Sequence, residues 1–387
     1  MEIGSTELGD KALDWSDFRR QMPVAERLAY FDHAAVSPLP EPARAAVAQW
    51  AGEAAADGDT AWPAWARQVE ELRSLFADLL GASPDEIALA RNTTEGINLV
   101  AEGFPWQPGD NVVTLADEFP SNQYPWMNLA ERGVEARRIA TDGFTVDLHR
   151  LARACDSRTR IVAVSWVGYA SGWRNDLDEL ARLAHERGAL VFVDAIQALG
   201  VVPLDVRRTP IDFLAADGHK WLLGPEGAGV FFTRREHLER LRPLGLGWHS
   251  VTHDHDFTRI ELAVKPSAAR YEGGSQNMVG AIALKASVEL LARFGPESIC
   301  RRIFEVTDLA CRRLEEIGAR IRSDRTPAHK SGIVIFDLPG RDPGELRKRC
   351  LKNGVVLSCR GGGLRISPHA YNDSSDIDRL IDVLENA

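Results

Sequence analysis

The fold is decided by residues 189–232, ALVFVDAIQALGVVPLDVRRTPIDFLAADGHKWLLGPEGAGVFF. Three short apolar runs begin within this stretch, at residues 190–193, 211–215 and 229–233. Runs of this length that are bounded by turn residues are typical of strands buried in a parallel sheet. We therefore expect an α/β fold in which all three runs are parallel strands of one sheet.

Two residues with complementary chemistry follow the first two runs. Asp194 ends the first run, and Lys220 lies in the loop after the second. Open α/β sheets bind ligands at the carboxyl ends of their strands, so we expect both side chains at that edge. A lysine amine forms a Schiff base with the aldehyde of pyridoxal 5'-phosphate (PLP), and a carboxylate keeps its pyridine nitrogen protonated. Taken singly, Asp194 could cap a helix and Lys220 could be solvated, but the ordered pair favours a PLP site.

The motifs around this pair resemble those of a known family. They are Asp194-Ala195-Ile196-Gln197, His219-Lys220-Trp221, Gly224-Pro225 and Gly227. The set is similar to that of the class V aminotransferase group of fold-type I PLP enzymes, which includes cysteine desulfurases, selenocysteine lyases and isopenicillin N epimerase. The resemblance implies that Gln197 donates a hydrogen bond to the ring oxygen of PLP and that His219 contacts its phosphate or ring edge.

The resemblance also implies a division of the chain. Residues 1–45 form an N-terminal arm that is part of the small domain, residues 46–260 the large PLP-binding domain, and residues 261–387 a smaller α/β C-terminal domain. The large domain is expected to have a mostly parallel sheet with helices on both faces. Helical spacing of apolar residues predicts helices over 41–80, with a break at 57–63, and over 278–294.

Composition excludes several other classes of protein. The chain has 387 residues, a net charge of −10 and no basic run, so neither nucleic acid nor an acidic membrane surface is an expected partner. The acidic N-terminus does not resemble a signal peptide, and no apolar segment approaches the length of a membrane span. The five cysteines are scattered without a CxxC pair, which predicts reduced thiols in the cytoplasm and no metal site.

A helix start after the predicted strand at 87–90 suggests a phosphate site. Asn92 or Thr93, followed by Glu95, is a good N-terminal helix signal. Free backbone N–H groups at a helix N-terminus favour anions. The segment resembles the family's Thr-Thr-Glu motif, which implies that Thr93 binds the PLP phosphate through its backbone and Thr94 through its hydroxyl. Helix capping alone is the competing interpretation.

Three positions depart from the cysteine desulfurase pattern. Phe119 stands where those enzymes have a histidine that stacks on the pyridine ring, so stacking is kept but proton transfer on that face is lost. Tyr169 stands near their asparagine beside the phenolic oxygen, where it could donate a hydrogen bond. Asp217 replaces a phosphate-binding serine, and because a carboxylate repels phosphate we expect it to point elsewhere or share a proton.

A second copy of the chain is implied by residues 269–277. In the family, a Gly-Thr pair at this place reaches the PLP phosphate of the other subunit, and Gly274 and Ser275 take that position here. The resemblance therefore implies a homodimer with shared active sites. We also expect Trp248, together with His249, to line the substrate pocket from across the interface.

Substrate recognition is expected from both ends of the chain. In the family an arginine at the Arg365 position binds the substrate's α-carboxylate as a bidentate fork. Backbone around paired small residues, here Ala34 and Ala35, lies against that carboxylate. His33 stands where many members have Asn or Ser, so it is predicted either to face the substrate or to be a structural turn residue.

The stretch after Arg360 bears on the reaction. Arg360 matches the arginine that begins the mobile loop of cysteine desulfurases, and we include it among the substrate-binding residues. That loop carries a cysteine that takes sulfur from the substrate, whereas only three glycines separate Arg360 from Leu364 here. Cys359 precedes the arginine and is interpreted as a strand-end thiol.

The sequence therefore predicts a PLP-dependent enzyme that acts on a small amino acid, as a transaminase or as a lyase that breaks a C–S or related bond. Lys220 is expected to form the Schiff base and to move the proton at Cα, and Asp194 to hold the pyridine nitrogen. Epimerisation is an alternative that needs a second acid or base, for which His33, Tyr169 and His249 are the candidates. A PLP-binding or sugar-binding module without turnover is a further alternative.

Overall fold

The computed structural model describes residues 13–386, so residues 1–12 of the predicted N-terminal arm lie outside the described residues. The strands form three sheets, of seven, four and two strands. Their bounds are β1 Ala29–Tyr30, β2 Ile87–Ala90, β3 Asn111–Leu115, β4 Glu135–Ile139, β5 Thr159–Ser165, β6 Leu190–Asp194, β7 Phe213–Asp217, β8 Gly229–Thr233, β9 Arg320–Ile321, β10 Val334–Asp337, β11 Val355–Val356, β12 Ser358–Arg360 and β13 Gly363–Ile366.

The helices confirm the predicted segments. The break predicted at 57–63 separates two long helices, and the helix predicted over 278–294 has those bounds. The α-helices are α1 Trp15–Arg20, α2 Glu41–Ala56, α3 Trp62–Leu80, α4 Thr93–Gly103, α5 Tyr124–Asn128, α6 Leu148–Arg153, α7 Leu177–His185, α8 Met278–Phe294, α9 Pro296–Glu316, α10 Pro343–Lys352 and α11 Ser374–Glu385. Within residues 13–386, none of them combines the length and apolar character that a membrane crossing needs.

The large sheet has the strand order β2-β8-β7-β6-β5-β3-β4. Strands β3 to β7 pair in parallel, which confirms the mostly parallel sheet. The prediction that the run at 229–233 is also parallel is wrong, because β8 pairs antiparallel with β7 and with β2. Burial of an apolar run does not encode strand direction, and the short link from β7 to β8 cannot make the crossover that a parallel pair needs.

Apolar residues cover both faces of this sheet. Along β6, Val191 and Val193 belong to one buried cluster with residues of α3, α7 and α8, whereas Phe192 belongs to a second cluster with residues of α4. Alternate residues of a strand point to opposite faces, so each strand contributes to both clusters. Both faces of the sheet are therefore covered, so ligands are expected at the ends of its strands rather than on a face.

The smaller sheets join the two ends of the chain. The four-stranded sheet β12-β13-β10-β9 is antiparallel. Near the N-terminus, β1 pairs in parallel with β11, so residues 29–30 join the C-terminal elements. The domain boundaries at 45/46 and 260/261 stay a prediction, but this pairing supports the assignment of the N-terminal arm to the small domain.

Asp212, just before β7, joins three segments of the large domain. Its carboxylate accepts hydrogen bonds from His185 Nε2 (2.8 Å), His237 Nε2 (2.7 Å) and the Val191 N–H (2.7 Å). Burial acts to raise the pKa of Asp212, but these hydrogen bonds outweigh it and lower the pKa to about 2. The hydrogen bond to Asp212 in turn raises the pKa of His185.

We expect Asp212→Asn to lower the free energy of unfolding by about 2–4 kcal/mol near pH 5–6, because it leaves a buried hydrogen-bond network without its charge. A lowered pKa means that the Asp212 contribution is complete above its unfolded pKa of about 4 and is lost as the pH falls toward 2. The His185 contribution has the opposite sign and declines as the pH rises above about 6.5. Denaturant unfolding between pH 3 and pH 8 measures this profile.

Asp205→Asn is the matched control, since the pKa of Asp205 is also lowered to about 2, mainly by its hydrogen bond with Arg207. That pair is exposed, so solvent screens it and little change is expected. Equal effects of the two substitutions would contradict a special role for the buried network.

Candidate active site

Lys220 and Asp194 lie at the same edge of the large sheet. Asp194 is the last residue of β6 and pairs in register with Ala215 of β7, and Lys220 follows β7 by three residues. Burial lowers the pKa of Lys220 to about 8, although the charge of Asp194 acts to raise it. A considerable fraction of the Lys220 amine is therefore neutral near pH 8, as a nucleophile and base must be.

Asp194 is buried, and its Oδ1 accepts a hydrogen bond from the Ile196 N–H at 3.1 Å. Burial raises its pKa to about 6, so it is ionised above that pH. A second buried acid, Glu118, bonds to the backbone N–H of Ser165 at 2.6 Å and to the Ser165 hydroxyl. Ser165 is the register partner of Asp194 in the sheet.

Glu118 is a site residue that the sequence analysis missed. Burial raises its pKa to about 8, and the charge of Asp194 acts in the same direction. The signal was present, because Glu118 follows the strand β3 much as Asp194 ends β6. This edge of the sheet therefore holds two carboxyl groups of different acidity.

Phe119 lies beside Lys220. Its ring centre lies 5.7 Å from Lys220 Nζ, and the edge of Tyr169 packs on it with the ring centres 5.2 Å apart. Phe119 is 43% exposed, which leaves ring surface open to the cleft. The structure thus brings Phe119, Tyr169 and Lys220 together, as the sequence predicted.

The amide of Gln197 has both ends engaged. Its Oε1 accepts a hydrogen bond from the indole Nε1 of Trp221, and its Nε2 donates to the backbone oxygen of Ala34, each at 3.0 Å. Because the indole can only donate and a carbonyl can only accept, these partners fix the orientation of the amide. One N–H of Nε2 remains for another acceptor.

The prediction that His33 faces the substrate is wrong for its side chain. His33 is fully buried, and its ring nitrogens bond to the backbone oxygen of Ser367 (2.9 Å) and the hydroxyl of Tyr371 (3.0 Å). Burial lowers its pKa well below the usual value. The alternative of a structural histidine fits the structure, and His33 is no longer a candidate second acid or base.

The segment after His33 lies against the lysine loop. Ser37 donates from its N–H to the His219 oxygen at 2.7 Å and from its hydroxyl to the Lys220 oxygen. Ala34 is buried, with its N–H bonded to the Ser367 hydroxyl at 3.0 Å. Ala35 is half-buried between these contacts. Backbone of the N-terminal segment is therefore next to the loop that carries Lys220.

The candidate phosphate residues meet at the start of α4. Asn92 caps this helix by accepting a hydrogen bond from the Glu95 N–H at 2.9 Å. The Thr93 hydroxyl is buried and accepts from the Asp217 N–H at 3.0 Å, which places the lysine loop beside the helix N-terminus. Thr94 is exposed, and its hydroxyl donates to Ser121 at 2.9 Å.

Asp217 stands beside His219 rather than toward solvent. Its Oδ2 lies 2.9 Å from His219 Nδ1. Its Oδ1 is buried, with no hydrogen-bond partner in the described part of the chain. The expectation that Asp217 is engaged elsewhere than with a phosphate fits this contact with His219.

Arg365 is held by groups that the sequence analysis did not identify. It is 1% exposed and donates to Asp32 Oδ1 (3.0 Å), the Ser358 hydroxyl (3.1 Å) and the Tyr169 oxygen (2.9 Å). Burial lowers its pKa, and the charge of Asp32 opposes that shift. These bonds use three of the five guanidinium N–H donors, which leaves two for a ligand. Arg360, on the neighbouring strand, is exposed.

The remaining candidates line two other cavities. Gly274 and Ser275 are exposed and line a cavity of about 700 Å³ together with Asn92 and Thr94. Trp248 lines a second cavity of about 470 Å³, which also reaches Gly274 and Ser275. Lys220 lines neither cavity.

Comparisons with known proteins identify the family of this chain. The family model "Aminotransferase class-V" matches residues 29–380. A probable cysteine desulfurase of Methanothermobacter thermautotrophicus is 33% identical, over 95% of this chain and 97% of the relative. Isopenicillin N epimerase of Streptomyces clavuligerus is 30% identical, over 96% of this chain and 98% of the relative.

Solved structures show the same fold. The apo structure of a cysteine desulfurase from Thermococcus onnurineus NA1 superposes with a TM-score of 0.86 at 26% identity, over 96% of this chain and 97% of that chain. Because the family model spans nearly all of the described residues, the chain belongs to the class V aminotransferase family of PLP-dependent enzymes that act on amino acids.

Proposed function

We propose that the cleft around Lys220 cleaves a C–S or related bond at Cβ of an amino acid, without a persulfide on the enzyme. The observation that carries the proposal is that Lys220 faces Phe119, a ring that cannot move protons, so one group serves one face of the substrate. Elimination and transamination both need one such base. The similarity to a probable cysteine desulfurase supports the lyase.

The described residues fit PLP at most points. Lys220 supplies the amine, Phe119 an open ring face, and the N-terminus of α4 free N–H groups with the Thr94 hydroxyl nearby. Only Oδ1 of Asp194 has a hydrogen-bond donor within the described chain, which leaves Oδ2 for the pyridine nitrogen. Gln197 has one amide N–H for the ring oxygen.

Asp217 is the exception to this fit, and we leave it out of the phosphate site. We assign His219, with the α4 N-terminus and Thr94, to the phosphate side. We assign Gly274 and Ser275 to the PLP phosphate of the other subunit; within one chain they line a cavity together with Thr94.

When bound, PLP withdraws electrons from the substrate's Cα and so weakens the bonds there. Asp194 is charged at neutral pH, since its pKa is about 6, and can hold a proton on the pyridine nitrogen. Arg365 orients the α-carboxylate through its two remaining N–H groups. Lys220, whose pKa is about 8, would take the Cα proton and could pass it to the departing group X, which leaves as HX.

The overall reaction balances without a redox partner. The Cα–H bond breaks and its proton passes to Lys220, and the Cβ–X bond breaks with its electron pair leaving on X. One water is consumed, and the products are a keto acid, ammonium and HX. For the step at Cα, the reaction requires only the Lys220 amine among the described residues to gain a proton.

The hairpin β12–β13 argues against an enzyme persulfide. Its strands are joined by Gly361 and Gly362 alone, both with positive φ, as two-residue hairpin turns require. Cys359 is on the strand before this turn, and its Sγ donates to the Pro343 oxygen at 3.3 Å. Burial raises the pKa of Cys359, which disfavours the nucleophilic thiolate.

Epimerisation is the second candidate, favoured by the similarity to isopenicillin N epimerase. It requires an acid or base on the substrate face opposite to Lys220. With His33 buried, Tyr169 is the nearest such group, because its ring packs on Phe119. Appearance of the inverted amino acid would favour this function over the lyase.

We further propose a homodimer whose active sites are shared. Gly274, Ser275 and Trp248 are exposed, and the cavities that they line do not include Lys220. The segment between Trp248 and Gly274 exposes the apolar side chains Phe257 and Ile260, at 70% and 93%. Large exposed apolar side chains favour contact with another protein surface.

The cytoplasmic location stays a prediction from the cysteine pattern.

We expect the protein loaded with PLP to release pyruvate, ammonium and sulfide from L-cysteine, with the visible band of bound PLP restored after turnover. Lys220→Ala should lose this band and about 10³-fold or more in rate, because the base is removed. Cys359→Ser is the control and should keep full activity. Transamination would instead be shown by a keto acid that forms only while the visible band is lost, with the band restored when a second keto acid is added.

We expect Trp221→Phe to raise the pH midpoint of the visible PLP band by about 0.5–1 unit. The substitution removes the indole N–H that orients Gln197, so the ring oxygen loses a hydrogen bond of about 1 kcal/mol and becomes more basic. Trp106→Phe is the matched control, since it removes another buried indole hydrogen bond, to the Ala101 oxygen at 2.7 Å.

Gln197→Ala completes this comparison and should shift the midpoint in the same direction. If Gln197→Ala shifts the midpoint and Trp221→Phe does not, the orienting role of Trp221 is wrong. If neither substitution shifts it, the predicted contact of Gln197 with the ring oxygen is wrong.

A further inference from the structure

Asp217 is a buried acid next to the lysine loop that the proposed chemistry does not use. It is the last residue of β7 and is 5% exposed. Its Oδ2 lies 2.9 Å from Nδ1 of His219, while its Oδ1 has no hydrogen-bond partner within residues 13–386. His219 is therefore the group that faces its charge, because Asp217 forms no other ion pair in that range.

The geometry of β7 places Asp217 on the face of the sheet that α4 covers. Ala215 lies two residues earlier, and a Cβ atom on Gly96 of α4 would come within 2.5 Å of the Ala215 Cβ. Alternate residues of a strand share a face, so Asp217 is on the α4 side as well. Its N–H donates to the hydroxyl of Thr93, the first residue of α4, at 3.0 Å. A carboxylate thus lies beside a helix N-terminus, where an anion is favoured.

Packing fixes the backbone on both sides of this contact. Ser37 donates to the His219 oxygen at 2.7 Å, and the Gly218 N–H donates to the Ala228 oxygen at 2.8 Å. A Cβ atom on Gly218 would come within 2.6 Å of that oxygen, so the turn has no room for a side chain. The separation of Asp217 from His219 is therefore set by the packed turn between them.

The imidazole of His219 has one nitrogen available to a ligand. Nδ1 is buried and faces Asp217, whereas 16% of the side chain is exposed, which leaves Nε2 accessible. A neutral imidazole has one N–H donor, whereas the imidazolium has two. With Nδ1 donating to Asp217, only the imidazolium can also donate from Nε2. The charges of the pair then cancel, so the carboxylate no longer adds a net negative charge next to a phosphate.

We propose that Asp217 is a positioning residue for His219, which it holds as the imidazolium so that Nε2 donates to an oxygen of the PLP phosphate. This proposal rests on the proposed function, which assigns His219 to the phosphate side. Asp217 thereby achieves through His219 what a serine hydroxyl at its place would do directly. The donor is charged, and such hydrogen bonds to phosphate are stronger than neutral ones.

Two ligands that differ only in the phosphate test this proposal. Dissociation constants of PLP and of pyridoxal are measured from the visible spectrum, with the full-length protein from which bound cofactor has been removed. Their ratio isolates the phosphate contacts, because the ring and aldehyde are common to both. We expect Asp217→Asn to reduce the preference for PLP about tenfold, as for loss of a charge-assisted hydrogen bond. Pyridoxal binding should stay within about twofold, which also shows that the variant is folded.

Further variants separate the role of Asp217 from a general effect of charge. Asp217→Ser should keep the preference within about threefold, since a hydroxyl can itself donate to the phosphate. In a His219→Gln background, Asp217→Asn should cause no further loss, because its effect passes through His219. Glu95→Gln is the matched control, since it removes another carboxylate from the first turn of α4, one that bonds to Arg91, and should not lower the preference.

Two results would overturn the proposal. One is an unchanged or increased preference for PLP in Asp217→Asn, which would show that the carboxylate has no role or repels the phosphate. The other is an equal loss with and without His219, which would show that Asp217 acts by another route. These measurements need no turnover, so failure to release sulfide from L-cysteine would contradict the proposed function alone, and the two failures are thereby distinguished.

Discussion

Lys220 and Asp194 lie at the same edge of the large sheet because two neighbouring strands run parallel and end there. The register of β6 with β7 places Asp194 opposite Ala215, and the loop after β7 then carries Lys220 across the strand end. Both side chains are desolvated there, which moves their pKa values toward each other, to about 6 and about 8. A base and a carboxylate thus coexist within a narrow pH range near neutrality, and this depends on the sheet rather than on the loop alone.

The rest of the site is arranged around this edge by contacts that cross the chain. Gln197 accepts a hydrogen bond from the indole of Trp221 and donates one to the backbone oxygen of Ala34. Ser37 attaches the same N-terminal segment to the backbone of the lysine loop. The orientation of one amide therefore depends on a segment about 160 residues earlier in the chain.

Much of this arrangement could be predicted from the sequence, because it follows from patterns among residues that are close together in the chain. The buried strands, the cap at Asn92 and the approach of Asp194 to Lys220 follow from apolar runs, turn residues and the rule for sheet edges. The direction of β8 could not be predicted in this way, since burial is the same for both directions. The sequence left His33 open between the substrate and a structural turn, because its partners, Ser367 and Tyr371, are more than 330 positions away.

Other parts of the site were missed for the same reason. Nothing local marks Asp32 as the partner of Arg365, and only the paired ends of the chain bring them to 3.0 Å. Glu118 did have a local signal, a carboxylate after a buried strand, but the resemblance drew attention to Phe119 instead. Pairwise contacts between distant segments are what a single sequence encodes least directly.

The pairing of β1 with β11 has a consequence for biosynthesis. Residues 29–30 cannot pair in their sheet until residues 355–356 have been synthesised. At the usual 5–20 residues per second, a ribosome needs on the order of 15–65 s to make the intervening chain. During that interval the N-terminal segment that later covers the lysine loop has no strand partner, so the large sheet can form on the ribosome before residues 355–356 complete this pairing.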